Sequence, residues 1–378
     1  MVDHPKKNIL IVDSTLRDGE QAPDVVFTES ERLYLAERLC EIGVDEIEAG
    51  IPAGGPDEIA GIRAIAKLNL SCDLSVWCRA LDRDIELAAQ CDVPMIHISF
   101  PVSPIQLDVM GKDYRWVFES LEKRIAFAKK FFDRVAIGAL DATRCDDHML
   151  FEFISEAASL YVDRVRLADT TGIATPVRIY HLLKEIKKRH PEIHVGFHGH
   201  NDLGMATANT ISAIEGGADS VDVTVNGIGE RCGNAALEEV AVAIGVSGAY
   251  LCSIDINKIS ELCEYVSNVT KKPIPPNKPV TGSAIFNHSS GIHCRGIEKN
   301  PLAFQPFLPE SVGKSGARFL AGKHSGTSGI RKILNDIGVD ATPDQIKDIL
   351  KRVKARAISK GGSLSSLEVK SLYDACFS

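Results

Sequence analysis

What most constrains this chain is a repeated alternation of element types. From residue 8 to about residue 250, short β-branched runs alternate with longer stretches of helical period. The runs begin at Asn8, Val44, Cys72, Val93, Arg134, Asp163, Ile193 and Asp219, and helical patterning fills residues 29–42, 116–132, 149–161, 176–189 and 206–215. One βα unit recurs roughly every 30 residues, close to the smallest size such a unit takes. Several runs are apolar on both faces, as parallel strands are when helices cover each side. Eight units in about 250 residues predict an α/β fold, a TIM (β/α)8 barrel over residues 1–250, ahead of an open doubly wound sheet.

Beyond residue 250 the rhythm stops. Residues 268–311 are rich in Pro, Gly, Asn and Ser without a clear period, and helical patterning returns at 328–337 and 343–358. Residues 251–378 therefore read as a C-terminal linker region and small helical subdomain.

Composition removes several classes of function. The net charge of −8 argues against nucleic acid and anionic membrane as partners, since both need a basic face. No apolar stretch approaches the ~20 residues of a membrane span, and "MVDHPKKNILIVD" holds no signal-peptide core. The ten cysteines are scattered singly from Cys40 to Cys376 with no C-x-x-C pair, which fits reduced, mostly buried thiols of a cytoplasmic protein.

In a parallel barrel, chemistry collects where strands end and βα loops begin. Here strand one leads into Arg17 and Asp18, strand two into Glu48, strand three into Arg79, strand six into Asp169 and Thr170, and strand eight into Asn226. Strand seven ends in "HGHND". His198 and His200, two apart on an extended strand, point to one side and can offer two imidazoles to one metal. Alone, H-x-H is equally a pair of satisfied strand-end histidines. With Asp18 on the same rim, two imidazoles and a carboxylate make a facial ligand set, and the metal reading leads. His194, among apolar neighbours, reads as structural.

"NGIGERCGNAALEE", residues 226–239, is a Gly-rich loop before a helix: a phosphate cradle or a tight turn with a helix cap. It lacks the G-K-[ST] of a Walker loop, and the first βα turn lacks G-x-G-x-x-G, so nicotinamide binding has little support. His288 and His293, in "FNHSSGIHCRG", sit among small residues. They either complete a site from another subdomain or subunit, or lie in a surface loop.

Taken in order, "DSTLRDGEQAP", "EAGIP", "LADTTGIATP", "HGHNDLGMATAN", "NGIGERCGNAALEE", "SGIHCRG" and "GKHSG" resemble the metal-dependent Claisen-condensing acyltransferases: homocitrate, 2-isopropylmalate and citramalate synthases. The resemblance runs from about residue 8 to about residue 337, and "WCR" and "FPVS" look most like the short homocitrate synthases associated with nitrogenase. It implies a divalent cation (Mg2+, Mn2+ or Zn2+) on Asp18, His198 and His200 with Asn234 nearby. It implies condensation of acetyl-CoA with a 2-oxo dicarboxylate, 2-oxoglutarate first among them, giving homocitrate and CoA. Arg17 and Thr170 would act in catalysis, and Arg17, Arg79 and Thr170 would hold the 2-oxo acid. Gly227, Gly229, Glu230 and Arg231 would lie along the acyl-CoA. His293, reaching over from a partner chain, would serve the acid–base step and make the protein a homodimer. The leucine-feedback domain of isopropylmalate synthases is not expected in a chain of this length.

Two positions depart from that pattern. Leu140 stands where relatives usually carry Glu, and Phe304 where they tend to carry Tyr. Both remove hydrogen-bonding capacity. The loss of negative charge would suit a more anionic acceptor such as oxaloacetate or 3-phosphonopyruvate. Two rival readings stand beside the condensing enzyme: a metal-dependent aldolase or lyase on the same barrel, and a non-catalytic metabolite-binding relative.

Overall fold

The computed structural model describes residues 6–377 and divides into two compact units, the first ending at Ile274 and the second starting at Pro275. In the first unit eight parallel strands close into a barrel: β1 Leu10–Asp13, β2 Glu46–Glu48, β3 Asp73–Arg79, β4 Met95–Pro101, β5 Arg134–Leu140, β6 Arg164–Asp169, β7 Val195–Gly199 and β8 Ser220–Val223. Each pairs with the next, and β8 returns to β1 with Asp222 beside Val12. Every strand starts within two residues of the position expected from sequence.

The main helices follow in turn: α1 Glu29–Glu41, α2 Pro56–Ala66, α3 Asp82–Ala88, α4 Tyr114–Ala128, α5 Asp147–Ser159, α6 Pro176–Arg189, α7 Ala206–Gly216 and α8 Leu237–Ser247. Their N-termini carry their own start signals. Thr28 and Glu31 form a capping box on α1, Asp113 and Asp146 accept first-turn amides of α4 and α5, and α6 opens on Pro176. Outward strand residues such as Ile47, Ile96, Ile137, Val165 and Val221 are fully buried. Phe100 of β4 meets Phe153 of α5 edge-on at 6.1 Å.

The barrel interior departs from the usual filling of bulky branched side chains. Glu46 takes both arms of Arg164 at 2.8 and 2.9 Å and the Ser75 hydroxyl at 2.6 Å. One layer up, Arg166 bridges Glu48 at 2.9 Å and Asp222 at 2.5 Å. All of these groups are buried, where charges persist only when paired. Gly138 makes room for His97, whose Nε2 would lie 2.4 Å from a β-carbon at that position.

A further helix, α9 Ile259–Thr270, still belongs to the first unit, so that unit extends past residue 250. Ile259, Leu262, Cys263 and Val266 form its buried stripe at helical spacing. In the second unit, two-residue strands Asn287–His288 and Arg318–Phe319 pair in parallel. They accompany α10 Gly291–Lys299, α11 Thr327–Asp336, α12 Pro343–Lys360 and α13 Ser366–Phe377. Ile330, Ile333, Leu334, Ile346, Ile349, Val353, Leu364 and Val369 make that unit's own core.

The segment around His293, read from sequence as irregular, is helical. Its glycines serve close packing: a β-carbon on Gly291 would fall 2.8 Å from the Gly326 Cα, and one on Gly296 would fall 2.4 Å from the Phe304 ring. All ten cysteines are free thiols. Among the described residues no helix is long and apolar enough to cross a membrane.

Candidate active site

At the C-terminal end of the barrel strands a cavity of about 180 Å3 is lined by residues from several βα connections, among them Arg17, Asp18, Trp77, Leu140, Thr170, His198 and His200. β7 delivers His198 and His200 to one side, as its alternation requires. The loop after β8 then doubles back: the Asn201 amide donates to the Gly233 carbonyl at 2.9 Å and the Ala235 amide to Gly199 at 3.1 Å, which lays Asn234 beside His200.

The structure brings Asp18, His198 and His200 together, all buried. Asp18 Oδ2 lies 3.6 Å from His198 Nε2 and 3.8 Å from His200 Nε2. The two Nε2 atoms face one another at 3.2 Å. Their outer nitrogens settle the tautomers: His198 Nδ1 faces the Asp222 carboxylate at 3.2 Å and His200 Nδ1 the Gly233 carbonyl at 3.3 Å. Both partners only accept, so each Nδ1 carries a proton and each Nε2 is the nitrogen turned toward Asp18 and the other ring. With both rings neutral, two lone pairs at that distance repel each other unless a cation lies between them.

Asn234 adds a second sign. Its Nδ2 donates to Asp18 Oδ1 at 2.9 Å and to the Ile228 carbonyl at 3.1 Å, which fixes the amide's orientation. Its Oδ1 is then buried without a partner among the described residues. An orphaned buried carbonyl costs about 1–3 kcal/mol, and a metal ligand is a use for it. The donor set of one carboxylate, two imidazoles and an amide oxygen suits a divalent cation.

Charge is arranged to match. Burial would raise the Asp18 carboxyl, but the Arg17 guanidinium, the two imidazoles and the Asn234 amide hold it far below the usual carboxylate range. His200 is pushed down to about 4, first by burial and then by His198, so it is neutral as a ligand must be. Arg17 reaches Glu48 Oε2 through Nε at 2.5 Å and Asp18 Oδ2 through Nη1 at 2.7 Å. Its Nη2 is buried without a partner among the described residues, and its guanidinium sits 5.9 Å over the Trp77 ring.

Other residues singled out by sequence have varied placements. Thr170 lines the cavity. Arg79 does not; its guanidinium turns to Asp84 of α3 at 2.7 and 2.9 Å. Glu230 and Arg231 line the cavity mouth, and Arg231 is paired with Asp202 at 2.8 and 3.0 Å. Gly227 and Gly229 serve the packing of their loop against Asn234. His194 meets Ser220 at 3.0 Å inside the barrel. His288 is buried against Gln305 at 3.0 Å, and His293 lies exposed on α10, stacked on Phe304 with ring centres 4.4 Å apart. Sequence reasoning passed over Asp222, Arg166, His97 and Trp77. The signal was present in part, as polar residues at a period of two inside otherwise apolar runs: Arg164 and Arg166 in "DRVRLAD", Ser220 and Asp222 in "DSVDVTV".

Comparison with known proteins identifies the family of the chain. The HMGL-like family model matches residues 8–266, and the homocitrate synthase post-HMGL domain-like model matches residues 280–361. The 2-isopropylmalate synthase 2 of Caldanaerobacter subterraneus subsp. tengcongensis is 39% identical over 369 residues, covering 97% of this chain and 96% of that protein. Homocitrate synthase 1 of Nostoc sp. is 39% identical over 365 residues, covering 96% of each. The (R)-citramalate synthase of Methanocaldococcus jannaschii is 41% identical over 347 residues, covering 92% of this chain and 70% of that protein. Among solved structures, the HMG-CoA lyase from Brucella melitensis superposes with a TM-score of 0.63 at 19% identity, over 70% of this chain and 100% of that one. This last likeness speaks for the barrel fold.

Proposed function

We infer the function from the premise that the chain belongs to the HMGL-like family and carries, C-terminal to that region, a homocitrate synthase post-HMGL domain. We propose an acyltransferase that condenses acetyl-CoA with a 2-oxo acid, most simply 2-oxoglutarate to homocitrate, on a metal held by Asp18, His198, His200 and Asn234. The observation that carries the reading is the pair of imidazole Nε2 atoms facing one another beside an anionic Asp18. Relatives named for the same class of condensation, nearly full-length matches at about 40% identity, support it.

A divalent cation bound there supplies a Lewis acid to the keto group. The chain's own groups do the rest. Arg17 Nη2, without a partner among the described residues, donates to the keto oxygen as it gains charge, and Glu48 keeps that guanidinium aimed. The Thr170 hydroxyl holds the acceptor's carboxylate. Trp77 and Leu140 wall the acceptor off from water. Glu230 and Arg231, at the mouth, are proposed to meet the acyl-CoA, and His293 to serve the acid–base step from a second copy of the chain. Arg79, tied to Asp84, would bind substrate only by giving up that pair.

One observation favours a second acceptor. Leu140 presents an apolar wall to the cavity, which suits the tail of a 2-oxo monocarboxylate such as pyruvate or 2-oxoisovalerate. Release of CoA thiol from acetyl-CoA, measured with Mg2+, Mn2+ or Zn2+ across a panel of 2-oxo mono- and dicarboxylates and 3-phosphonopyruvate, tests both. The expected result is metal-dependent release with one acceptor preferred. No acid raising the rate above background would remove the proposal, and cleavage of a carbon–carbon bond without CoA would replace it with a lyase.

A further inference from the structure

We propose that Asp141 is a positioning residue whose buried carboxylate, held by Ser103 and Arg144, fixes a left-handed turn that aims the Thr170 hydroxyl into the cavity. The inference rests on the reading of that cavity as a 2-oxo acid site, and it adds how the carboxylate of that acid is met.

Asp141 follows the last residue of β5 and is fully buried, with φ at 62° and ψ at 39°. A residue with a β-carbon pays for that conformation, so something must hold it. The side chain shows what does. Ser103 Oγ donates to Oδ2 at 2.5 Å, Arg144 Nε reaches both carboxylate oxygens at 2.9 Å, and Arg144 Nη2 reaches Oδ2 at 2.7 Å. Ser103 is itself fixed, buried at the start of the short helix Pro104–Val109, where it accepts from the Gln106 amide.

The turn's consequence lies on the neighbouring strand. The Asp141 N–H donates to Thr170 Oγ1 at 2.8 Å. Thr170 Oγ1 has no other partner among the described residues, so its own proton is left to donate, and Thr170 lines the cavity. With one lone pair taken up by the Asp141 amide, the hydroxyl of this cavity-lining residue keeps its proton to donate, the polarity a carboxylate oxygen requires. The same residue is held at its carbonyl by Arg231 Nη2 at 2.7 Å. Thr170 is pinned from both sides, and Asp141 determines which way its proton points. The Asp141 carboxylate, occupied by Ser103 and Arg144, does not itself touch substrate.

The test is a set of variants assayed as full chains with metal. Thr170→Val and Asp141→Ala are each expected to raise the KM for the preferred 2-oxo acid about tenfold or more, with the KM for acetyl-CoA within about twofold of wild type. The double variant should be no worse than Thr170→Val alone, because both act through one hydroxyl. Ser103→Ala, a milder change, should move the same KM in the same direction. Asp141→Gly, which adopts the turn without strain, should recover much of what Asp141→Ala loses. Additive effects in the double variant, or equal rises in both KM values, would overturn the assignment. A separate arm does not depend on turnover. Hydrogen exchange at the residue 141 amide should quicken in Thr170→Val, and an unchanged rate would dismiss the positioning role even were no 2-oxo acid to be turned over.

Discussion

The backbone of Gly229 passes so close over Asn234 that a β-carbon on it would fall 2.2 Å from the Asn234 Nδ2 and 2.7 Å from the Asp18 Oδ1. Gly229→Ala must therefore push the amide off the carboxylate it orients. Displacing such a supporting contact typically weakens a metal site about 10- to 100-fold. Metal titration by calorimetry should show that loss, with the circular dichroism of the barrel unchanged. An affinity equal to wild type would mean that the loop relaxes without touching the ligands.

Glu48 sits between two cations, accepting from Arg17 Nε at 2.5 Å and Arg166 Nη1 at 2.9 Å, and also from the Ser14 hydroxyl at 2.7 Å. Removing its charge leaves two buried guanidinium groups short of an anion. Glu48→Gln is expected to cost about 3–5 kcal/mol in urea unfolding and to lower turnover as Arg17 loses its aim. A cost below about 1 kcal/mol would show that the interior rearranges around the change.

The ligand set predicts a stability that depends on metal. A cation at about 100 times its Kd adds about 2.7 kcal/mol to the native state, so wild type should gain in melting temperature when Mn2+ or Zn2+ is added and lose the gain with chelator. Asp18→Asn and His198→Ala should show neither the gain nor metal-dependent CoA release. Either variant keeping the full thermal response would place the ion elsewhere.

Burial pushes His194 down to about 4, with Arg164 adding to the effect. Its neutral form is favoured in the fold, so its contribution is present above pH ~6.5 and is lost as pH falls toward 4. Between pH 7 and 5 that amounts to about 2 kcal/mol. Asp13, pushed up to about 7 by burial, works in the opposite direction over the same range. The informative quantity is therefore the difference between chains: urea midpoints of His194→Gln should fall less from pH 7 to pH 5 than those of wild type. Equal falls would assign the acid sensitivity to other groups.

Much of this architecture was legible beforehand because parallel strands are dense in β-branched residues and their charged ends stand out. "LRDGE" and "HGHND" gave up Arg17, Asp18, His198 and His200 for that reason. What stayed hidden is what only closure creates. Asp222, in the middle of an apolar run, becomes the partner of His198 because β7 and β8 lie side by side. Arg79 read as a rim cation, yet Asp84, five residues on, captures it locally. The helix carrying His293 was obscured by Gly291 and Gly296, since helix propensity penalises glycine whereas close packing there demands it.

The crossings of Glu46 with Arg164 and Glu48 with Arg166 join positions 118 residues apart, on strands that are not neighbours in the barrel wall. A slip of one residue in either strand would turn both partners out among the helices. The chain thus carries a proofreading device for its own assembly: a wrongly threaded ring leaves four charges stranded, and only the correct one cancels them. The floor beneath the ligands is in that sense a lock that opens to a single alignment.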